Sequence, residues 1–337
     1  MRYRFHFRRY RLPFRSVVRT AHGPWGEREG VVLRIENDQG RVGYGEAAPI
    51  PWFGTESADE VGEACRQLGE WVEEETLEAV PQKLGCLRNA LAVAREELTS
   101  ASMNSAGPDL GVAAFLPAGQ TAIKDLPPKA EAGFRVFKWK VGLRDADEEL
   151  GLLDDLCAAL PDGGKLRLDA NGAWDRRRAS KWLERCADRP VEFIEQPIAS
   201  DARGAQDLLL GLAADYPTRI ALDESLTVDG DIERWLGAGW RGVFVLKLSL
   251  LSNPAAAVTR LEQAKADVVF SSALETAVGA KAALRRAFQW TGSRWALGFG
   301  VWPLFVDARF DGPYATPFLS RNDIERLQPE VVWNALS

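Results

Sequence analysis

From residue 111 to about residue 300 the chain alternates short apolar, β-branched runs with longer segments of helical spacing. The runs lie at 112–116, 134–141, 165–170, 191–196, 219–224, 242–248, 267–273 and 295–299. Helical patterns fall between them, at 146–160, 177–187, 202–214, 231–238, 254–264 and 277–290. A continuously apolar strand is buried on both faces, and its recurrence about every 25–30 residues with a helix between is the pattern of parallel βα units. Eight such strands predict an α/β domain closed into a barrel, although an open doubly wound sheet satisfies the same pattern.

The first hundred residues have a different rhythm, strands first and helices after. Tyr3, Phe5 and Phe7 alternate with arginines and His6, as in a strand. Runs at 30–36 and 41–46 flank the turn Asn37-Asp38-Gln39-Gly40, which predicts a meander. Segment 45–57, GEAAPIPWFGTES, is too rich in Pro and Gly for regular structure and reads as a functional loop. Ser57 and Glu60 form a capping box, opening a helix with Val61, Ala64, Cys65, Leu68, Trp71 and Val72 at helical spacing. A second helix is expected over 77–98, broken near Gly85. The alternation fades after the eighth run. The division expected is an α+β capping domain at 1–105, completed by the tail 306–337, and a barrel at 110–305.

A net charge of −6 and a pI near 5.3 argue against nucleic acid and anionic membranes as partners and leave small metabolites. No apolar run approaches the ~20 residues that span a bilayer. The N-terminus lacks the apolar core of a secretory signal. Cys65, Cys86, Cys157 and Cys186 are scattered without metal-site spacing and read as reduced thiols of a cytoplasmic protein.

In a parallel barrel, chemistry gathers where the strands end. The second strand ends in Lys138-Trp139-Lys140, and residues two apart share a face, so both lysines point one way and Trp139 the other. Two adjacent ammonium groups each ease deprotonation of the other, which suits a general base. From these residues alone, a solvated lysine pair on a surface strand fits as well. The next strands end in Asp169 and Asn171, in Glu195 and Gln196, in Asp223 and Glu224, in Lys247, and in Ser271, Ser272 and Glu275. Any one of these acids serves as a helix N-cap. Carboxylates from three consecutive strands at one level repel strongly unless a cation lies between them, and Mg2+ or Mn2+ suits an all-oxygen set.

The KxK, DAN, EQP, DES and later lysine, in this order and spacing, resemble the enolase superfamily, in its muconate-lactonizing enzyme subgroup. GEAAPIPWFGTES at 45–57, RLDANG at 167–172 and SSALETAVG at 271–279 strengthen the likeness. The resemblance implies a modified (β/α)7β TIM-like barrel beneath an α+β cap. It implies Mg2+, with Mn2+ as a substitute, on Asp169, Glu195 and Asp223. Lys140 is then the catalytic base, Lys138 its neighbour, and Lys247 lies across the substrate. Substrate contacts are expected from Ser271, Ser272 and Asn171 at strand ends, from Gly298 and Gly300, and from Phe53 in the loop.

Within that family the implied reaction is a hydro-lyase step of menaquinone or phylloquinone biosynthesis. It is the syn dehydration of a succinylated hydroxycyclohexadiene carboxylate, through α-proton abstraction and a metal-stabilised ene-diolate. The alternatives are racemisation of N-acylamino acids or dipeptide epimerisation on the same lysines and, more remotely, a binding protein without catalysis. The only histidines, His6 and His22, lie before the barrel, so a His–Asp dyad at its mouth is not available. The eighth strand, Ala296-Leu297-Gly298-Phe299-Gly300, carries no acid for an ammonium group. Its glycines leave room and backbone N–H groups for a carboxylate.

Overall fold

The structure, a computed structural model, describes residues 2–20, 22–99, 103 and 107–336. The expected domain boundary at residue 105 lies outside the described residues.

The N-terminal unit is an antiparallel sheet of β1 (Arg2–Thr20), β2 (Gly23–Glu36), β3 (Val42–Ala47) and β4 (Trp71–Glu73), in the order β3-β2-β1-β4. One face carries α1 (Ala58–Leu68), α2 (Glu74–Glu78) and α3 (Gly85–Thr99). The expected meander is present, and the capping box opens α1 with both reciprocal hydrogen bonds. Trp71 and Val72 are not helical, which corrects the sequence reading. Gly69, at φ 75°, ends α1, and Trp71-Val72-Glu73 turns back to pair with Arg2–Arg4 of β1. The helix expected over 77–98 with a break near Gly85 is two helices, α2 and α3, and α3 opens at Gly85. The sheet meets α3 closely: a Cβ on Gly45 would stand 1.9 Å from the Ala90 carbonyl oxygen, so only glycine fits there.

All eight barrel strands form: β5 (Leu110–Leu116), β6 (Val136–Lys140), β7 (Lys165–Asp169), β8 (Val191–Glu195), β9 (Ile220–Leu222), β10 (Val243–Leu246), β11 (Asp267–Phe270) and β12 (Leu297–Gly300). They pair in parallel in the order β11-β10-β9-β8-β7-β6-β5-β12. A parallel bridge from Ser271 to Gly298 joins the last two and closes the ring. Gly298 and Gly300 permit that closure, because a Cβ would meet Ser271 Oγ at 2.5 Å and the Ala113 carbonyl oxygen at 2.3 Å.

Outside the strands run α4 (Thr121–Glu131), α5 (Ala146–Ala159), α6 (Arg176–Cys186), α7 (Ala205–Asp215), α8 (Asp229–Gly237), α9 (Pro254–Gln263) and α10 (Ala277–Gln289). Of these, α4 contains Pro127 and Pro128 and is not among the helical patterns read from the sequence. The chain finishes with β13 (Phe318–Leu319), α11 (Arg321–Glu325) and α12 (Pro329–Ala335). β13 adds to β5, while Arg8 of the cap donates to the carbonyls of Trp333 and Leu336 at 2.5 Å each. The four cysteines are free thiols. Among the described residues, no helix is long and apolar enough to cross a membrane.

Candidate active site

Strand periodicity sorts the barrel side chains into two layers. Phe137 and Trp139 point outward into the main core, and Trp139 meets Trp182 of α6 edge-on at 6.3 Å. Inside, Phe193, Ala221, Val243, Val245 and Val269 form a separate apolar plug, over which the Arg167 guanidinium lies 4.9 Å from the Phe193 ring. The next inward positions, nearer the C-terminal ends of the strands, are Lys140, Asp169, Glu195, Asp223, Lys247 and Ser271, with Lys138 one step below Lys140, in register with Arg167. A wall of hydrocarbon below and polar groups above sets the floor of the site.

Asp169, Glu195 and Asp223 are 8%, 2% and 5% exposed. Asp169 is in register with both Lys140 and Glu195 on its two neighbouring strands. The Lys138 ammonium lies 2.9 Å from Asp169 Oδ2 and 2.7 Å from Glu195 Oε1, and Lys247 pairs with Asp223. Among the described residues no three acidic, histidine or cysteine side chains are drawn into a closed cage. Lysine ammonium groups bridge the carboxylates instead. Three buried carboxylates on adjacent strands nevertheless form the donor set that a hard oxygen-seeking cation takes.

The lysines differ in their surroundings. Burial disfavours charge on Lys138, but Asp169 and Glu195 outweigh it and hold this ammonium above the ordinary lysine range. Burial lowers Lys140, with Asp169 opposing and Lys138 reinforcing the shift. Burial likewise brings Lys247 down to about 8; Glu195 opposes this and Lys138 reinforces it. One lysine is thus a fixed cation, and the other two are eased toward neutrality.

Above these groups is a cavity of about 190 Å³, roofed by the capping unit. The tip of the β1–β2 hairpin reaches over the barrel mouth, where the Arg19 carbonyl accepts from Lys140 Nζ at 2.6 Å. The loop 45–57 supplies Trp52 and Phe53, with Lys247 Nζ 5.3 Å from the centre of the Phe53 ring. The loop 45–57 and the tip of the β1–β2 hairpin therefore both close on the strand ends. His22 lines the cavity at the hairpin tip, 6.2 Å from Trp52.

Comparison with known proteins follows the same division. Residues 124–316 match the family model for the enolase C-terminal domain-like fold, and residues 1–98 match that for the MenC N-terminal domain. The chain is 37% identical over 303 residues to the o-succinylbenzoate synthase of Thermosynechococcus vestitus, covering 88% of this chain and 92% of that protein. The chain belongs to the o-succinylbenzoate synthase family of the enolase superfamily. A second family member, from Edwardsiella ictaluri, is 31% identical over 83% of this chain and 84% of its own length. The solved o-succinylbenzoate synthase from Thermosynechococcus elongatus BP-1, complexed with Mg in its active site, superposes with a TM-score of 0.84 at 34% identity, covering 99% of this chain and 100% of that one. An L-Ala-D/L-Glu epimerase from Bacillus subtilis shares the fold, with a TM-score of 0.80 at 20% identity over 94% of this chain and 95% of its own.

The residues singled out from this family's motifs meet in one cavity: Lys138, Lys140, Asp169, Asn171, Asp223, Lys247, Ser271, Ser272, Gly298, Gly300 and Phe53 all line it, with Glu195 buried just beneath. Asn171, at φ 44°, turns its amide to Glu224 Oε1 at 2.9 Å. Ser272 Oγ donates to Glu275 at 3.1 Å. The sequence reading missed Trp25, Arg19 and Phe115, which also line the cavity. Trp25 and Arg19 sit on the hairpin arms, and no spacing rule in a basic, irregular strand marks which residues face a distant barrel.

Proposed function

We propose that this chain catalyses the o-succinylbenzoate synthase reaction, the Mg2+-dependent syn dehydration of 2-succinyl-6-hydroxy-2,4-cyclohexadiene-1-carboxylate to 2-succinylbenzoate. The observation that carries the reading is the pair Lys140 and Lys247 above three buried carboxylates, in a chain that matches named synthases over most of its length. The match to the MenC N-terminal domain supports a place in menaquinone biosynthesis, or phylloquinone biosynthesis where that quinone is made.

In this reading Asp169, Glu195 and Asp223 hold Mg2+, or Mn2+ in its place. When bound, the cation supplies concentrated positive charge where the substrate carboxylate gains electrons. Lys140 Nζ takes the α-proton, and the electron pair moves into the carboxylate to give an ene-diolate. Lys138 contributes fixed positive charge, and Lys247 adds to it while protonated. The protonated Lys140 then delivers its proton to the β-hydroxyl, the C–O bond breaks, water leaves and the ring becomes aromatic. Ser271, Ser272, Gly298, Gly300 and Asn171 orient the substrate, and Phe53 with the hairpin tip excludes water. The cap is assigned to 1–105 with 306–337, and the barrel to 110–305. The partner is a small carboxylate, without nucleic acid, in the cytoplasm.

Purified enzyme supplied with the cyclohexadiene carboxylate and Mg2+ should form the aromatic product, followed by ultraviolet absorbance. A second reading, N-acylamino acid racemisation, rests on Lys140 and Lys247 ending strands on opposite sides of the ring. Loss of optical rotation from a single enantiomer of an N-succinylamino acid, without aromatic product, would transfer the assignment to it.

A further inference from the structure

The Arg28 side chain is 1% exposed and lies in the cap, on β2. All five of its N–H groups are directed at main-chain carbonyls. Nη1 reaches Glu29 at 2.9 Å and Pro49 at 2.7 Å, and Nη2 reaches Ala48. The other two bonds cross to the barrel: Nε donates to the Leu274 carbonyl at 3.2 Å, and Nη2 to the Ala273 carbonyl at 3.4 Å. The Trp25 ring covers the guanidinium at 5.2 Å. A buried guanidinium is normally matched by a carboxylate, and a rigid five-donor fork spent wholly on carbonyls serves geometry.

The segment it grips joins β11 to α10 and forms one wall of the substrate cavity through Ser271, Ser272, Ala273 and Leu274. Leu274 has φ 60°, a left-handed conformation that a γ-branched residue adopts only when its surroundings enforce it. The far end of the segment is gripped from the cap as well. Glu46 of β3 accepts from Thr276 N at 2.9 Å, Thr276 Oγ1 at 2.6 Å and Gly279 N at 2.8 Å, so a cap carboxylate covers the N-terminus of α10. Between the two grips, Glu275 folds back to accept from Ala273 N at 2.5 Å and Ser272 Oγ at 3.1 Å. Ser272 Oγ in turn accepts from Leu274 N at 2.9 Å.

We propose that Arg28 and Glu46 are specificity-positioning residues: from the capping unit, they hold the 271–276 wall of the barrel in the conformation that receives the substrate. Neither touches the reacting carbon. The shape of that wall, and hence substrate choice, is set by the cap even though the wall belongs to the barrel. The inference rests on the synthase reading above for the identity of the ligand.

The test is a set of variants assayed beside the wild-type enzyme with the cyclohexadiene carboxylate, and titrated calorimetrically with 2-succinylbenzoate and with Mg2+. Arg28→Lys keeps the positive charge but replaces a planar fork of five donors with three donors on one nitrogen. It should raise KM and the product Kd about tenfold, with kcat within about threefold and Mg2+ affinity unchanged. Leu274→Gly removes the steric objection to positive φ, so the effect of Arg28→Lys on KM should shrink when position 274 is glycine. An unchanged KM in Arg28→Lys overturns the proposal. So does a loss of kcat and KM together that glycine at 274 does not moderate, because that marks a general scaffold role. If Arg28→Lys does not fold, Glu46→Gln, which disturbs the other grip and the bond from Tyr10 while leaving the Arg28 carbonyl partners in place, decides by the same KM-against-kcat reading. A wild-type enzyme that neither turns over the substrate nor binds the product refutes the function itself, a result separate from failure of the variants.

Discussion

The ammonium of Lys138 lies 2.7 Å from Glu195 Oε1, against a carboxylate that is 2% exposed. Together with Asp169 at 2.9 Å, this makes Lys138 an internal counter-charge for the oxygens expected to bind Mg2+. An ammonium and a divalent ion compete for such oxygens. Lys138→Met should therefore bind Mg2+ about tenfold more tightly by calorimetry. It should also melt lower when stripped of metal, and gain more from added Mg2+ than the wild type does. Weaker Mg2+ binding in the variant would show that Lys138 assists the cation and does not compete with it.

Lys140 and Lys247 end β6 and β10, four strands apart in a ring of eight, and so approach a bound carbon acid from opposite sides. Dehydration asks Lys140 to move a proton and Lys247 only to be positive. Arginine keeps charge but does not give up its proton in a protein. Lys247→Arg should retain measurably more dehydration than Lys140→Arg, while either change abolishes N-acylamino acid racemisation. Product binding must be measured beside the rate, because the guanidinium is larger. Equal dehydration by two variants that both bind normally removes Lys140 from the role of base.

The same division fixes the sign of the pH dependence. Lys140 acts as the neutral amine, and burial lowers its pKa, so kcat/KM should rise with pH through the pKa of that group. Lys247 acts as the cation and is brought to about 8 by burial, so its charge is lost as pH rises past that value and activity should turn down. Lys247→Arg should abolish the alkaline limb. A wild-type profile still climbing above pH 9 would show that the charge on Lys247 is not required.

Phe53 closes over Lys247, with 5.3 Å from Nζ to the ring centre, and lines the roof of the cavity. Phe53→Ala should raise KM about tenfold and leave kcat within a few-fold, since it opens the roof without moving the proton-transfer groups. A fall in kcat at constant KM would place the ring in the chemical step.

Much of this was legible because barrel chemistry follows strand periodicity. Lys138, Lys140, Asp169, Glu195, Asp223 and Lys247 stand at strand ends, where alternation sends every second residue inward, so local spacing sufficed to bring them together. The same spacing misled at Trp71 and Val72. Their helical interval is real, but Gly69 breaks the backbone, and the edge of β1 offers Val72 a strand partner that no local pattern reveals. The double proline in α4 hid a helix for the opposite reason, since tertiary packing holds a segment whose propensity argues against it. The sequence by itself determined the layered alternation, the acids and the lysines, because each is written in residues a few positions apart. Only the tertiary structure decided that Arg28 would grip Leu274, 246 positions away, and that Glu46 would cap α10. Those contacts depend on how the N-terminal sheet packs on the barrel, and packing geometry is a property of whole surfaces that no short window of sequence contains.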